Sequence, residues 1–290
     1  MTEPPGSERE IDRLRRRLGE IDRELLALLN RRMEVARDVG EWKRRNGFFL
    51  FDPIREEAVI ADLIRRNAGS LSDRGIRAIF LEIFSSARGQ QGLLRIGCGG
   101  GAAGLLAAHS RFGASDHFLM VRSAAEGQRR LTTQSIDILV LPKEGVLDLS
   151  PTLRQTPGAV PQWTIRGEID RPYALVGDRA SRFGFYILGL GEEPPGPREL
   201  PETQKAVFLL VGGSRESIDR WTGRLGGCWI ERDRRPRVQQ PTGTANLAGL
   251  WEAFAPSPPE VLQERCREIC GNSAWIVRLG AYPISTVAHL

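Results

Sequence analysis

Seven polar residues in the first third of the chain have the types and spacings of one shared site: Arg15, Arg32, Lys43, Asp52, Arg55, Glu56 and Gln91. Arg32 interrupts an otherwise apolar series, Ile11, Leu14, Leu18, Ile21, Leu25, Leu28, Val35, Val39 and Trp42, that repeats at spacings of three and four and marks one seam of a helix. A guanidinium buried in such a seam costs several kcal/mol unless an anion meets it. Either the chain supplies a carboxylate, or a bound ligand does. Lys43 follows three turns later, within about 20° of the same face, and Arg15 precedes Arg32 on the same helix, where it could serve the cavity of a second copy. Asp52, Arg55 and Glu56 stand at i, i+3 and i+4, again one face. Gln91 continues the stripe of Phe80, Phe84 and Ala87. The set is rich in cations, with two carboxylates and one amide, and holds no histidine, nucleophilic cysteine or metal-ligand cluster. It suits an anionic small ligand.

Each residue also has a plainer reading. Asp52 can be a helix cap only, Lys43 and Arg15 solvated cations, Glu56 a partner for Arg55 or Arg32, and Gln91 a surface residue near a helix end. Arg32 is the exception, because its place in the apolar repeat argues against a surface role.

The elements that must position these residues are helices. The first runs over 7–45, from Ser7 as cap to the stop at Asn46-Gly47. At ~1.5 Å per residue it reaches about 55 Å, too long for two short partners to cover, which predicts an intertwined homodimer. The second starts at Asp52-Pro53 and ends near Asn67-Ala68-Gly69. The third starts at Ser72 and carries Ile76, Ile79, Phe80, Ile83 and Phe84 on one face. From Leu93 the texture changes. Strands are expected over 94–97, 117–122 and 136–141 with helices over 102–112 and 124–134, a βαβαβ pattern, and a further strand over 183–190. A Pro/Gly/Glu-rich stretch over 189–203 reads as a linker. The remainder reads β-α-β-β-α-β, with strands over 206–211, 228–232, 247–254 and 274–279 and helices over 215–225 and 259–270, the ferredoxin-like order. The whole is therefore multidomain: an all-α three-helix intertwined-dimer domain (1–92), an α/β lobe (93–198) and an α+β ferredoxin-like domain (199–290).

Composition sets the outer bounds. The 290 residues, 41% hydrophobic, can build two or three ordinary cores. The opening MTEPPGSERE carries no secretory apolar region, and no run is long enough to cross a bilayer, so a cytoplasmic protein without a membrane partner is expected. The four cysteines, Cys98, Cys228, Cys266 and Cys270, lack zinc or redox spacing and read as reduced thiols. A net charge of +5 would permit nucleic-acid binding, but the basic residues are dispersed among acids without interleaved aromatics, and no nucleic-acid partner is expected.

Residues 1–92 resemble the all-helical chorismate mutases, the type often fused to prephenate dehydratase. The stretches that carry the likeness are DRLRRRLGEIDRELLALLNRR, VGEWK, DPIREE and FLEIFSSARGQQ. The resemblance implies conversion of chorismate to prephenate, an intramolecular rearrangement helped by holding the dianion in its reactive shape and stabilising charge on the ether oxygen. It implies that Arg32 and the second subunit's counterpart of Arg15 clamp carboxylates, with Arg55 shaping the same end. Lys43 and Gln91 would donate to the ether oxygen, while Glu56 and the Asp52 region hold the ring hydroxyl. Ala87 departs from the family, which often has a serine there that helps hold a carboxylate.

The rest of the chain resembles a prephenate dehydratase with its regulatory ACT domain, in degenerate form. LRIGCGGGAAGLLAAHSRFG, DILVLPKEG, RGEIDRP, ASRFGFYILG and RLGAYPISTV carry that likeness. Ser181, Arg182 and Phe183 stand where the family has Thr-Arg-Phe. Gly99 and Gly101 replace an acid and a hydroxyl, Gly145 replaces the asparagine of the PIEN segment, and only ten residues separate Asp170 from Ser181 where the family has a second lobe. These departures imply that dehydration is lost. In the tail, GSRESIDRWTGRL lacks the usual Gly-Ala-Leu turn and 231–236 only loosely matches the Glu-Ser-Arg-Pro loop. An aromatic amino acid or a partner enzyme is the candidate ligand of this C-terminal part. The glycine-rich turn Gly97-Cys98-Gly99-Gly100-Gly101 also invites a dinucleotide reading, as in a fused prephenate dehydrogenase. The next strand ends at Arg122, so only NADP would suit, and that reading requires a mostly helical C-terminal half. Other readings are a bifunctional mutase–dehydratase, a mutase of the amino analogue aminodeoxychorismate, and a non-catalytic regulatory subunit that binds an aromatic metabolite.

Overall fold

The computed structural model describes residues 8–48, 50–149, 155, 161–169, 184–191, 204–230, 248–254 and 259–283. Three helices come first: α1 (Glu8–Arg45), α2 (Pro53–Arg66) and α3 (Asp73–Gln91). Their ends follow from side-chain caps. The Asp52 carboxylate accepts the Arg55 N–H at 3.0 Å with proline at the start of α2, and the Ser72 hydroxyl accepts the Gly75 N–H at 3.1 Å. α1 and α2 both pack on α3.

The seam of α1 expected to be buried is exposed within one chain: Leu18 is 60% and Val35 62% accessible. From Glu10 to Arg31 only Gly19 is less than exposed. The reason is length. α1 has 38 residues and spans about 57 Å, while α2 and α3, with 14 and 19, reach only about 21 and 28 Å. They cover the C-terminal part of α1, where Gly40 is buried.

Next comes β1 (Arg95–Cys98), α4 (Gly101–Phe112), β2 (His117–Met120), α5 (Ala124–Thr132), β3 (Ile138–Pro142), a 3-10 helix (Lys143–Asp148), β4 (Trp163–Ile169) and β5 (Phe185–Leu190). The strands order as β2-β1-β3-β5-β4. β1 runs parallel to β2 and β3, the expected βαβαβ unit, and β5 joins antiparallel between β3 and β4. β4 carries no strand expectation from sequence. Its Arg166 is buried and its Glu168 nearly so, so polar side chains sit where an apolar signal was sought. β5 ends at Leu190 as the expected strand over 183–190 does, so Gly189 and Leu190, where strand and linker expectations overlap, belong to the strand.

The last elements are β6 (Gln204–Val211), α6 (Arg215–Leu225), β7 (Cys228–Ile230), β8 (Ala248–Phe254), α7 (Pro259–Cys270) and β9 (Trp275–Pro283). Their sheet is antiparallel in the order β7-β8-β6-β9, the ferredoxin-like arrangement. One hydrophobic cluster crosses between the sheets, joining Leu139, Ile165 and Leu188 to Val207, Leu250 and Leu279. The chains approach closely there: a Cβ on Gly280, at φ +155°, would lie 2.8 Å from the backbone nitrogen of Ile165.

A buried ionic network closes the same junction. Lys143 reaches Glu168 at 2.7 Å and Glu252 at 2.8 Å, and Lys205 reaches Glu168 at 2.8 Å and Glu252 at 2.7 Å. The Tyr282 hydroxyl donates to Glu168 at 3.0 Å and the Tyr186 hydroxyl donates to Glu252. Burial alone would lower Lys143, but the two glutamates outweigh it and raise the ammonium above its usual range. Burial would raise Glu252, and Lys143 and Lys205 together hold it below.

Candidate functional site

The candidate residues gather on the C-terminal half of α1, on α3 and at the start of α2. Arg32 is half-buried, its guanidinium carbon 5.3 Å above the ring of Phe84. Its Nη1 is buried and finds no hydrogen-bond partner among the described residues. Desolvation lowers its pKa, with the charge of Glu56 working in the opposite direction. An orphaned buried donor of this kind costs about 1–3 kcal/mol, which an incoming anion would recover.

Lys43, three turns or about 16 Å further along α1, and Gln91, at the end of α3, each have capacity to spare. The Lys43 ammonium donates to the Leu50 carbonyl at 3.2 Å, and the Gln91 amide donates to the Ala36 carbonyl at 2.8 Å. An ammonium has three donor hydrogens and an amide nitrogen two, so both retain at least one for a ligand. Gln91 fits because position 40 is glycine: a Cβ there would stand 2.8 Å from the Cβ of Gln91. Ala87 is buried one turn before Gln91 on α3.

The remaining sequence candidates fall into two groups. Asp52 is the cap of α2, and Arg55 is exposed one turn on. Arg15 does not join the site within one chain. It pairs with Asp12 at 3.4 Å on the exposed part of α1, about 25 Å from Arg32 along the axis. Glu56 does sit on the inner side of α2, but neither Arg55 nor Arg32 is its hydrogen-bonded partner. One of its oxygens accepts from Arg88 Nη1 at 2.5 Å and the other from Arg111 Nη1 at 2.8 Å. Ser181, Arg182 and Phe183 lie outside the described residues, as do 231–236.

Arg88, Arg111 and Asp116 are the residues that the sequence reading missed. Arg88 Nε donates to Asp116 at 3.1 Å and its Nη2 to the Phe112 carbonyl at 2.6 Å. Burial raises the pKa of Asp116, while Arg88 and the Leu94 N–H act against that rise. The signal for Arg88 was available, since it adjoins Ala87 in the Phe80–Phe84–Gln91 stripe just as Arg32 stands in its own seam. Among the described residues no group of three His, Cys, Asp or Glu could hold a metal ion, and no helix is long and apolar enough to cross a membrane.

The three-helix part that carries Arg32, Lys43 and Gln91 is also the part that a known family matches. Residues 14–92 match the family model described as chorismate mutase type II, so the helical part of the chain is a chorismate mutase domain of that type. A bifunctional chorismate mutase/prephenate dehydratase of Neisseria gonorrhoeae is 31% identical over 126 residues, 43% of this chain and 34% of that protein. One from Aquifex aeolicus is 26% identical over 145 residues, 48% of this chain and 40% of that protein. The chain thus matches between a third and two-fifths of the length of these curated relatives. Both matches are longer than the mutase family match, and the mutase domain is followed by a prephenate dehydratase-like region. A solved chorismate mutase from Thermus thermophilus is 33% identical, covering 28% of this chain and 93% of that one, at a TM-score of 0.28.

Proposed function

We propose that the chain is a chorismate mutase, converting chorismate to prephenate, and that it works as a homodimer through α1. The observation that carries this reading is the buried Nη1 of Arg32, without a partner among the described residues, on the same helix as Lys43 and across from α3 with Gln91, both of which keep a spare donor. Chorismate is a dianion that rearranges within itself, so the protein has to hold its shape and meet charge developing on the ether oxygen, with no cofactor or metal. Arg32 takes a carboxylate. Lys43 and Gln91 take the ether oxygen, and an amide at 91 has no proton to lose, so activity does not require acidic pH. Glu56 and the Asp52 region take the ring hydroxyl, and Arg55 shapes the anionic end.

The exposed apolar seam of α1 supports the dimer: an accessible stripe from Ile11 to Trp42 is large enough to need cover. In that assembly Arg15 of one chain serves the other's site. The domains are 1–92 for the mutase, 93–198 for a truncated dehydratase-like lobe and 199–290 for an ACT-like domain. The dehydratase activity is lost. Ile169 and Phe185 pair directly in the sheet, so 170–184 alone joins β4 to β5, too short a stretch for a second lobe. The ACT-like part is supported by its ferredoxin-like sheet and serves assembly or contact with an aromatic amino acid or a partner enzyme. The four free cysteines fit a reducing cytoplasm.

The test is purified protein with chorismate, following its absorbance and assaying prephenate and phenylpyruvate separately. Chorismate loss with prephenate accumulating is the expected result. Phenylpyruvate would restore the bifunctional reading, and unchanged chorismate would point to the amino analogue or to a regulatory role.

A further inference from the structure

We propose that Arg111, which lies on α4 outside the three-helix part, is a positioning residue for the mutase site: it fixes Glu56, so the appended α/β region helps to shape the site. This rests on the mutase reading above. Glu56 is held at both oxygens, by Arg88 at 2.5 Å from α3 and by Arg111 at 2.8 Å from α4. Neither arginine is free to wander. Arg88 also binds Asp116 and the Phe112 carbonyl, and the Asp116 carboxylate accepts the Leu94 N–H at 3.3 Å. The Arg111 guanidinium lies 5.2 Å over the ring of Phe51 and 5.8 Å over that of Phe112, which are themselves packed with centroids 5.0 Å apart.

Two arginines and two carboxylates make a neutral set, and the Asp116 side chain is fully buried. With one arginine per oxygen, each Glu56 oxygen keeps an acceptor position for a ring hydroxyl. The double grip confines the carboxylate to one orientation without consuming its capacity. Glu56 also acts on the Arg32 guanidinium through charge, so its orientation bears on the residue with the orphaned donor. A chain cut after α3 would keep Arg88 and lose Arg111, Asp116 and Phe112 together.

A simple staple between regions would use the same contacts, so the test must separate positioning from folding. It uses the full chain, with steady-state chorismate kinetics on the wild type, Arg111→Ala, Arg111→Lys, Glu56→Gln and the double variant Glu56→Gln/Arg111→Ala. The folded fraction of each is measured by urea unfolding. Loss of folded protein lowers apparent kcat and leaves KM unchanged, whereas a misplaced hydroxyl acceptor raises KM. Arg111→Ala is expected to raise KM about tenfold with kcat within about threefold, and Arg111→Lys to recover most of the loss. The double variant is expected to be no worse than Glu56→Gln. An unchanged KM in Arg111→Ala, or losses that simply add in the double variant, would overturn the proposal. A wild-type chain that leaves chorismate untouched would instead overturn the mutase reading beneath it, before any variant is compared.

Discussion

Two sets of polar side chains drawn back from solvent in this molecule are built on opposite terms. At the junction of the sheets, Lys143, Lys205, Glu168 and Glu252 alternate so that each charge meets two of opposite sign, and two tyrosine hydroxyls complete the glutamates. In the helical part the donors Arg32, Lys43 and Gln91 lean on backbone carbonyls or an aromatic face, and one buried guanidinium nitrogen has no partner among the described residues. The closed set is architecture, and the open one is the place proposed here for an anion. The first set is buried and the second half-buried. Satisfaction of hydrogen bonds is what tells them apart.

The sharpest way to break this contrast is to open the closed set. Glu252→Ala leaves two buried ammonium groups short of a partner, and urea unfolding should show a loss of about 3–5 kcal/mol. A loss below about 1 kcal/mol would mean that the network is solvated in solution and differs little from a surface pair. Next in size, Lys43→Ala should cost on the order of 3 kcal/mol of transition-state stabilisation, about a hundredfold in kcat/KM, with the melting temperature nearly unchanged. Near-wild-type turnover would remove Lys43 from the site.

Arg32→Leu sharpens the comparison from the other side. It replaces the orphaned donor with a residue that suits the seam, so the unliganded protein should gain about 1–3 kcal/mol while mutase activity disappears. A destabilised variant would show that Arg32 is satisfied in solution. The smallest effect is on pH dependence. Burial pushes the Glu252 carboxyl up, but Lys143 and Lys205 prevail and its folded pKa lies below 4.5. Its contribution is therefore fully present above about pH 4.5 and fades as pH falls through the lower folded value. Stability measured from about pH 6 down to pH 3 should fall more steeply for the wild type than for Glu252→Gln, and parallel curves would contradict the assignment.

Much of the helical part was legible because its signals are local. Asp52 and Ser72 act within three residues of themselves, the α1 seam repeats along one element, and Lys43 follows Arg32 on one face. The ferredoxin-like order was readable for the same reason, its strands and helices being separate apolar runs. What escaped is non-local. Glu56 meets Arg88 and Arg111 across 32 and 55 residues, and Glu168 meets Tyr282 across 114, distances over which spacing says nothing about pairing. β4 escaped because Arg166 and Glu168 point a polar signature inward. The apolar α1 seam is legible, but no described residue of one chain covers most of it, since α2 and α3 are too short.

The most direct measurement is titration calorimetry of prephenate into the full-length protein and into Arg32→Leu, at matched concentration of folded protein. Saturable binding to the wild type and none to the variant is the expected result, because the open guanidinium is what the dianion completes. Equal binding by both would contradict it.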